Sequence, residues 1–127
     1  MEISLKDKNK DKDINKVNSA EKLAKIIKEN LCVVIKISAS WCGPCKNKQF
    51  LDLYCKLKNN YSSLDNIKFI NLDIDDDSNI LEDKNYFDIE IKSVPTFLIS
   101  KKGTFIKKYE GCNHLESINK ILFDSLS

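Results

Sequence analysis

Two cysteines, Cys42 and Cys45, stand two residues apart in the run WCGPCK, with Trp41 before them and Gly43-Pro44 between them. A sulfur pair at that spacing has four possible uses. As a structural crosslink it closes a tiny loop and removes little chain entropy. As half of a zinc site it needs a second pair, and Cys32, Cys55 and Cys112 are scattered singly, with His114 the only histidine. As a hydrolase nucleophile a cysteine needs a histidine base, and nothing in the sequence orients His114. Dithiol–disulfide exchange needs no further residue: a thiolate attacks a disulfide sulfur, a mixed disulfide forms, and a second thiol within reach expels the product. The metal and hydrolase readings stay open on the residues alone, but exchange is the one the pair can carry unaided.

The elements around the pair are legible as patterns. LCVVIKIS (Leu31 to Ser38) is a β-branched, nearly continuous apolar run, as expected of a central strand buried on both faces. WCGPC comes directly after it. A helix is expected from about Gly43 to Asn59, with Pro44 in its first turn, where proline is tolerated, and with Phe50, Tyr54, Leu57 and Tyr61 on one face. Cys42 at the tip of that helix would meet unpaired N–H groups and the positive end of the dipole, which stabilise a thiolate. Cys42 is therefore expected to be the exposed attacker, and Cys45, one turn in and more covered, the resolving thiol. Upstream, Ser19 is a candidate N-cap for an amphipathic helix AEKLAKIIKEN, and DINKV (Asp13 to Val17) is a candidate edge strand. Downstream, IKFINLDI reads as a strand and Ser78 to Phe87 as a short helix. VPTFLIS and TFIKKY form a hairpin turned by Gly103, with Pro95 at a strand start, and HLESINKILFDSL closes the chain as a helix. The order β-α-β-α-β-α-β-β-α implies an α/β fold, a mixed central sheet with helices on both faces.

Composition bounds the rest. The 127 residues make one domain, expected over residues 13–127, after a charged and mobile tail at 1–12. The net charge is only +2, and every one of the 21 cationic residues is lysine. Arginine is the preferred fork for phosphates and base edges, so nucleic acid is not an expected partner. No apolar run is long enough to cross a bilayer, and the start of the chain does not read as a secretory signal. The odd, dispersed set of five cysteines is a poor disulfide framework. A reducing, cytoplasmic setting is expected, with no metal, no cofactor, no membrane partner and a monomeric chain.

SASWCGPCK resembles the active-site segment of the thioredoxin family. KSVPTFLISKKG is similar to that family's cis-proline strand and hairpin, NLDIDDD to its third strand, and YEGC to the glycine before its last helix. The similarity runs from about residue 13 to the end. The resemblance implies the thioredoxin fold and a protein disulfide reductase, recharged by an NADPH-dependent thioredoxin reductase. Gly43-Pro44 matches the reducing members, whereas oxidising and isomerising relatives tend to carry histidine where Pro44 stands. Trp41 would shield the cysteines or simply pack in the core. Val94-Pro95 would carry a cis peptide beside the cysteines, leaving the Val94 backbone available to an extended substrate by strand addition. Gly111 would border the same groove, and Thr96 would be a strand residue. A redox-capable scaffold or binding subunit of a larger complex is the alternative, and an isomerase or oxidase a further one.

Lys36 departs from the family, most members of which bury an aspartate there to manage the proton of the resolving cysteine. The family's frequent lysine partner aligns with Asn71. A lysine in a central strand is costly when charged. It can go neutral, snorkel outward, or pair with an acid, Asp73 being a candidate. A charged Lys36 reaching the cysteines would favour thiolate, raise the redox potential and tune the pair's pKa. Phe50 replaces a helix-kinking proline of many members, so a straighter helix is expected. Cys112, after Gly111, is expected on the groove rim, either as a third reactive thiol or as a small turn residue. Cys32 and Cys55 are expected to pack as small hydrophobes.

Overall fold

The computed structural model describes residues 17–127. The expected tail at 1–12 and all but the last residue of the expected strand at 13–17 lie outside the described residues. Helix α1 (Ala20–Glu29) starts where Ser19 adopts extended backbone and its Oγ accepts the Lys22 N–H at 3.1 Å. This satisfies one amide that the first turn leaves without a partner. Strand β1 (Cys32–Ser38) follows. It pairs in parallel with β2 (Ile67–Asp73) and antiparallel with β3 (Thr96–Lys101), and β4 (Thr104–Glu110) completes the order β2-β1-β3-β4. A parallel pair needs a crossover, and helix α2 (Lys48–Tyr61) supplies it. The β3–β4 hairpin turns on Lys102 and Gly103, whose φ values of 53° and 87° are both left-handed, as a two-residue hairpin loop requires.

Side chains alternate across the sheet, so β1 feeds two cores. Val33, Ile35 and Ile37 pack with α1, Ile70, Leu72, Ile80 and Leu98 on one face. Cys32 and Val34 point the other way, toward Phe50, Tyr54, Leu57 and Tyr61 of α2 and Ile118 and Leu122 of helix α4 (Leu115–Ser125). The two-sided burial expected of LCVVIKIS is what makes β1 the centre of the molecule. Lys36 falls on the second face, next in line after Val34.

Two helices differ from expectation. Helix α3 spans only Ser78–Leu81 and stops well short of Phe87. The Asp83 carboxylate accepts the Asn85 N–H at 3.0 Å, a local turn that competes with helix continuation. Helix α2 begins at Lys48, not Gly43. Asn47 breaks the path with φ −59° and ψ 126°, and its side chain caps α2 by accepting the Phe50 N–H at 3.0 Å. Pro44–Lys46 form a separate three-residue 3-10 turn.

The cap on α1 gives a direct check. Ser19→Ala is expected to lower unfolding stability by about 1 kcal/mol, read as a lower urea midpoint at unchanged slope.

Candidate active site

The site is built at the end of β1. The strand stops at Ser38, whose carbonyl accepts the Ile74 N–H at 2.9 Å, so β1 and β2 are tied where the loop departs. The chain then turns back: Cys42 N–H donates to Ala39 O at 3.2 Å and Lys46 N–H to Gly43 O at 3.0 Å. That turn brings the Cα atoms of Cys42 and Cys45 to 5.3 Å, and the two residues are joined as a disulfide. The amide of Cys45 points at the sulfur of Cys42, with N and Sγ 3.1 Å apart. The expected mouth of a long helix is therefore corrected to a short 3-10 turn, and the amide that meets Cys42 is local. The burial expectation is also corrected. In this disulfide form Cys42 is 3% exposed and Cys45 7%, because Ala39, Ile74 and Val94 close over both.

The opposite wall comes from the segment before β3. The Val94–Pro95 peptide is cis, as the resemblance implied. The Val94 carbonyl oxygen lies 3.6 Å from the Cys42 sulfur, which carries no hydrogen in the disulfide and can donate to that oxygen as a thiol. The Val94 N–H has no hydrogen-bond partner among the described residues. Gly111 donates its N–H to Pro95 O at 2.8 Å and holds φ at 101°, a conformation suited to glycine. Thr96 is fully buried and its hydroxyl donates to Ser93 O at 2.7 Å, which fixes the turn into β3. Gly43 and Pro44 are exposed on the loop. Trp41 is not core: it is 66% exposed, and its Nε1–H donates to Asp75 Oδ2 at 2.8 Å. Asp75 is a site residue that the sequence reading passed over, as part of an acidic strand end. Its loop is shaped by Asp73, whose Oδ1 accepts the N–H groups of Asp75 and Asp76 at 2.8 and 2.9 Å.

The family model for thioredoxin matches residues 6–124. The chain belongs to the thioredoxin family. A thioredoxin H-type from Populus jackii is 35% identical over 108 residues, spanning 84% of this chain and 70% of that one. Thioredoxin from Mus musculus is 38% identical over 82 residues, 64% of this chain and 68% of its own. Among solved structures, oxidised mitochondrial thioredoxin 3 from Saccharomyces cerevisiae superposes with a TM-score of 0.67 at 28% identity, covering 85% of this chain and 92% of that one. A Plasmodium falciparum thioredoxin gives 0.63 at 31% identity, covering 87% and 97%. Thioredoxins exchange dithiols with protein disulfides and are reduced by thioredoxin reductase; this chain, with its close cysteine pair, is a thiol–disulfide oxidoreductase.

Lys36, the departure that the resemblance implied, lies on the same face of β1 as Val34. Its ammonium lies 4.6 Å from the centroid of Tyr54 and 6.0 Å from that of Phe50, a cation held over two ring faces. Asp73 is not its partner, since that carboxylate is turned to its own loop, and Lys36 forms no ion pair with a carboxylate among the described residues. Burial holds its pKa below the ordinary lysine value, repulsion from Lys58 lowers it further, and Cys112 pulls it the other way. The Tyr54 hydroxyl is buried with no hydrogen-bond partner among the described residues, and burial pushes its pKa far upward. Cys112 is half-buried, with its sulfur 3.6 Å from the Pro44 carbonyl oxygen. Cys32 is buried as expected, but Cys55 is exposed: it follows Tyr54 on α2 and so faces away from the core. His114 stacks on Tyr109 at 4.8 Å, with Nε2 2.9 Å from Glu110 O.

Two outcomes follow from these contacts. Lys36 has a folded pKa below its unfolded one. Between the two values the unfolded chain binds the extra proton, so stability rises with pH there; below both, the charged form burdens the fold. Lys36→Met is expected to raise stability at pH 7, by a small amount because solvent still reaches the ammonium and screens it. The gain should shrink as the pH climbs toward the ordinary lysine range, as thermal melts across pH will show. Asp75→Ala, which frees the only tryptophan, is expected to lower Trp41 fluorescence anisotropy and shift its emission to the red.

Proposed function

We propose that this oxidoreductase works as a protein disulfide reductase, with Cys42 as nucleophile and Cys45 as resolving thiol. The observation that carries the reading is the Cys45 N–H aimed at the Cys42 sulfur at 3.1 Å. A hydrogen bond to an ionised acceptor is stronger than one to a neutral sulfur, so this amide favours the Cys42 thiolate. The thiolate attacks one sulfur of a substrate disulfide; that S–S bond breaks and the first substrate thiol leaves. Cys45, as thiolate, then attacks the Cys42 sulfur, and the second substrate thiol leaves. Two electrons pass to the substrate, and the pair ends as the Cys42–Cys45 disulfide.

Trp41, Gly43, Pro44, Val94, Pro95 and Gly111 form the substrate-binding groove in this reading. It is supported by the unpartnered Val94 N–H, which an extended peptide can use as it adds beside the loop. In this reading the chain works as a monomer. The electron donor is a thioredoxin reductase drawing on NADPH. The compartment in this reading is a reducing, cytoplasmic one, in keeping with an odd, scattered set of five cysteines that makes a poor disulfide framework. Lys36 tunes the pair as a positive charge that favours thiolate. Lys36→Asp therefore lowers the redox potential in a titration, and an unchanged or raised potential removes that role.

Insulin-reduction turbidity with dithiothreitol tests the main assignment. Cys42→Ser is expected to be inactive. Cys45→Ser is expected to accumulate a mixed disulfide with substrate, seen as a higher-mass band on a non-reducing gel. A Cys42→Ser protein that keeps its cellular role would support the scaffold alternative instead.

A further inference from the structure

The peptide unit between Pro44 and Cys45 faces a sulfur at each end. Its N–H, from Cys45, points at the Cys42 sulfur at 3.1 Å. Its C=O, from Pro44, accepts from the Asn47 N–H at 3.3 Å and, on the side of β4, from the Cys112 thiol at 3.6 Å, so Cys112 adds a second donor to that oxygen. A peptide is a single resonant group, with partial double-bond character in C–N. A donor on its oxygen draws electron density from nitrogen and makes the N–H a better donor, and hydrogen bonds in a chain strengthen one another by tens of per cent. We propose that Cys112 is a positioning residue of the redox pair: by donating to the Pro44 carbonyl, it orients and polarises the amide that holds the Cys42 thiolate.

Three further observations fit this role. Cys112 is carried on a fixed backbone, because the preceding Gly111 is tied to Pro95 by its 2.8 Å hydrogen bond. Its sulfur reaches the redox loop from 68 residues away in sequence, so this contact is made only by the folded chain. Its thiol is kept as a donor: burial raises its pKa above the ordinary value, with Lys36 of β1 pulling it the other way. The charges around this relay are Lys36, which acts on Cys112, and Lys58 of α2, which acts on Lys36. The inference rests on the assignment of Cys42 as the attacking thiol. It deepens that assignment by naming a third sulfur that acts through an amide and never enters the exchange.

The relay has a defined sign. A polarised N–H gains more against a thiolate than against a disulfide sulfur, so Cys112 stabilises the reduced form. Removing the donor makes the protein a stronger reductant and raises the pKa of Cys42. The thiol is a weak donor, so the effect is small.

The test uses the full chain as wild type, Cys112→Ala and Cys112→Ser. The alkylation rate of Cys42 is followed across pH by mass spectrometry of its own peptide. Each variant is also equilibrated with reduced wild type to compare potentials. Cys112→Ala is expected to raise the apparent pKa of Cys42 by about 0.3–0.5 unit. It is also expected to move the redox equilibrium about two- to three-fold toward oxidised variant, equal to about 10 mV. Cys112→Ser keeps a hydroxyl donor and is expected to stay nearer wild type in both measurements. Alanine indistinguishable from wild type overturns the relay. So does serine shifting as far as alanine, which would mean that Cys112 only fills space. A wild-type Cys42 with the pKa of an ordinary thiol overturns the attacker assignment itself, and the relay with it.

Discussion

In the proposed mechanism the chemistry depends on one amide, the N–H of Cys45 directed at the sulfur of Cys42. A cysteine at its ordinary pKa of about 8.5 is a sluggish nucleophile at neutral pH, and local donors are one of the few ways a protein lowers that value. Here the donor is held by a short 3-10 turn, Pro44–Lys46, and not by the mouth of a long helix. Pro44 suits the turn because its fixed φ is compatible with the first position and its missing N–H is not needed there. Asn47 then breaks the path and caps α2 with its own side chain. The redox loop and the crossover helix are thus separate units joined at one residue. The sequence pattern, with no further proline between Pro44 and Asn59 and a clean apolar spacing, hid that joint.

The sheet sets the constraints within which this loop works. β1 is paired on both sides and packed on both faces, so its end is a rigid platform from which the loop departs. The same burial makes Lys36 the most costly residue of the strand. An ammonium in that position has no carboxylate among the described residues, so its charge is met by the faces of Tyr54 and Phe50 and by the remaining solvent. Aromatic quadrupoles offset only part of the desolvation of a charge. The strand tolerates this because a long aliphatic stem separates the backbone from the charged end. Two polar groups, the Lys36 ammonium and the Tyr54 hydroxyl, therefore sit on the inner face of α2.

The groove opposite the cysteines is assembled from separate stretches of chain, each serving a different need. The segment before β3 supplies the Val94 backbone, Gly111 supplies a conformation and a hydrogen bond to Pro95, and Trp41 supplies an exposed flat surface anchored by Asp75. The anchor is itself anchored, since Asp73 gathers the amides of the loop that carries Asp75. An acidic run that looks like a solvated strand end is, in the fold, a scaffold for the tryptophan beside the active pair.

Much was legible in advance because it is local. The spacing of Cys42 and Cys45 limits what the sulfurs can do. Two- and four-residue periodicities set the strands and helices, and Ser19 marks a helix start through a contact three residues long. These features depend on neighbours in the chain, so the sequence by itself determined the fold class, the redox pair and the residues of its loop. Competing local turns at Asn47 and Asp83 shortened two helices, because a side-chain hydrogen bond to a nearby amide outweighs weak helix propensity. The partners of Lys36, Trp41 and Cys112 were decided only by the tertiary structure. Trp41 meets Asp75 across 34 residues and Cys112 meets Pro44 across 68. No periodicity encodes such pairs: they exist because the sheet brings distant loops to one end, where short-range contacts between polar groups and sulfur are made or missed by an ångström.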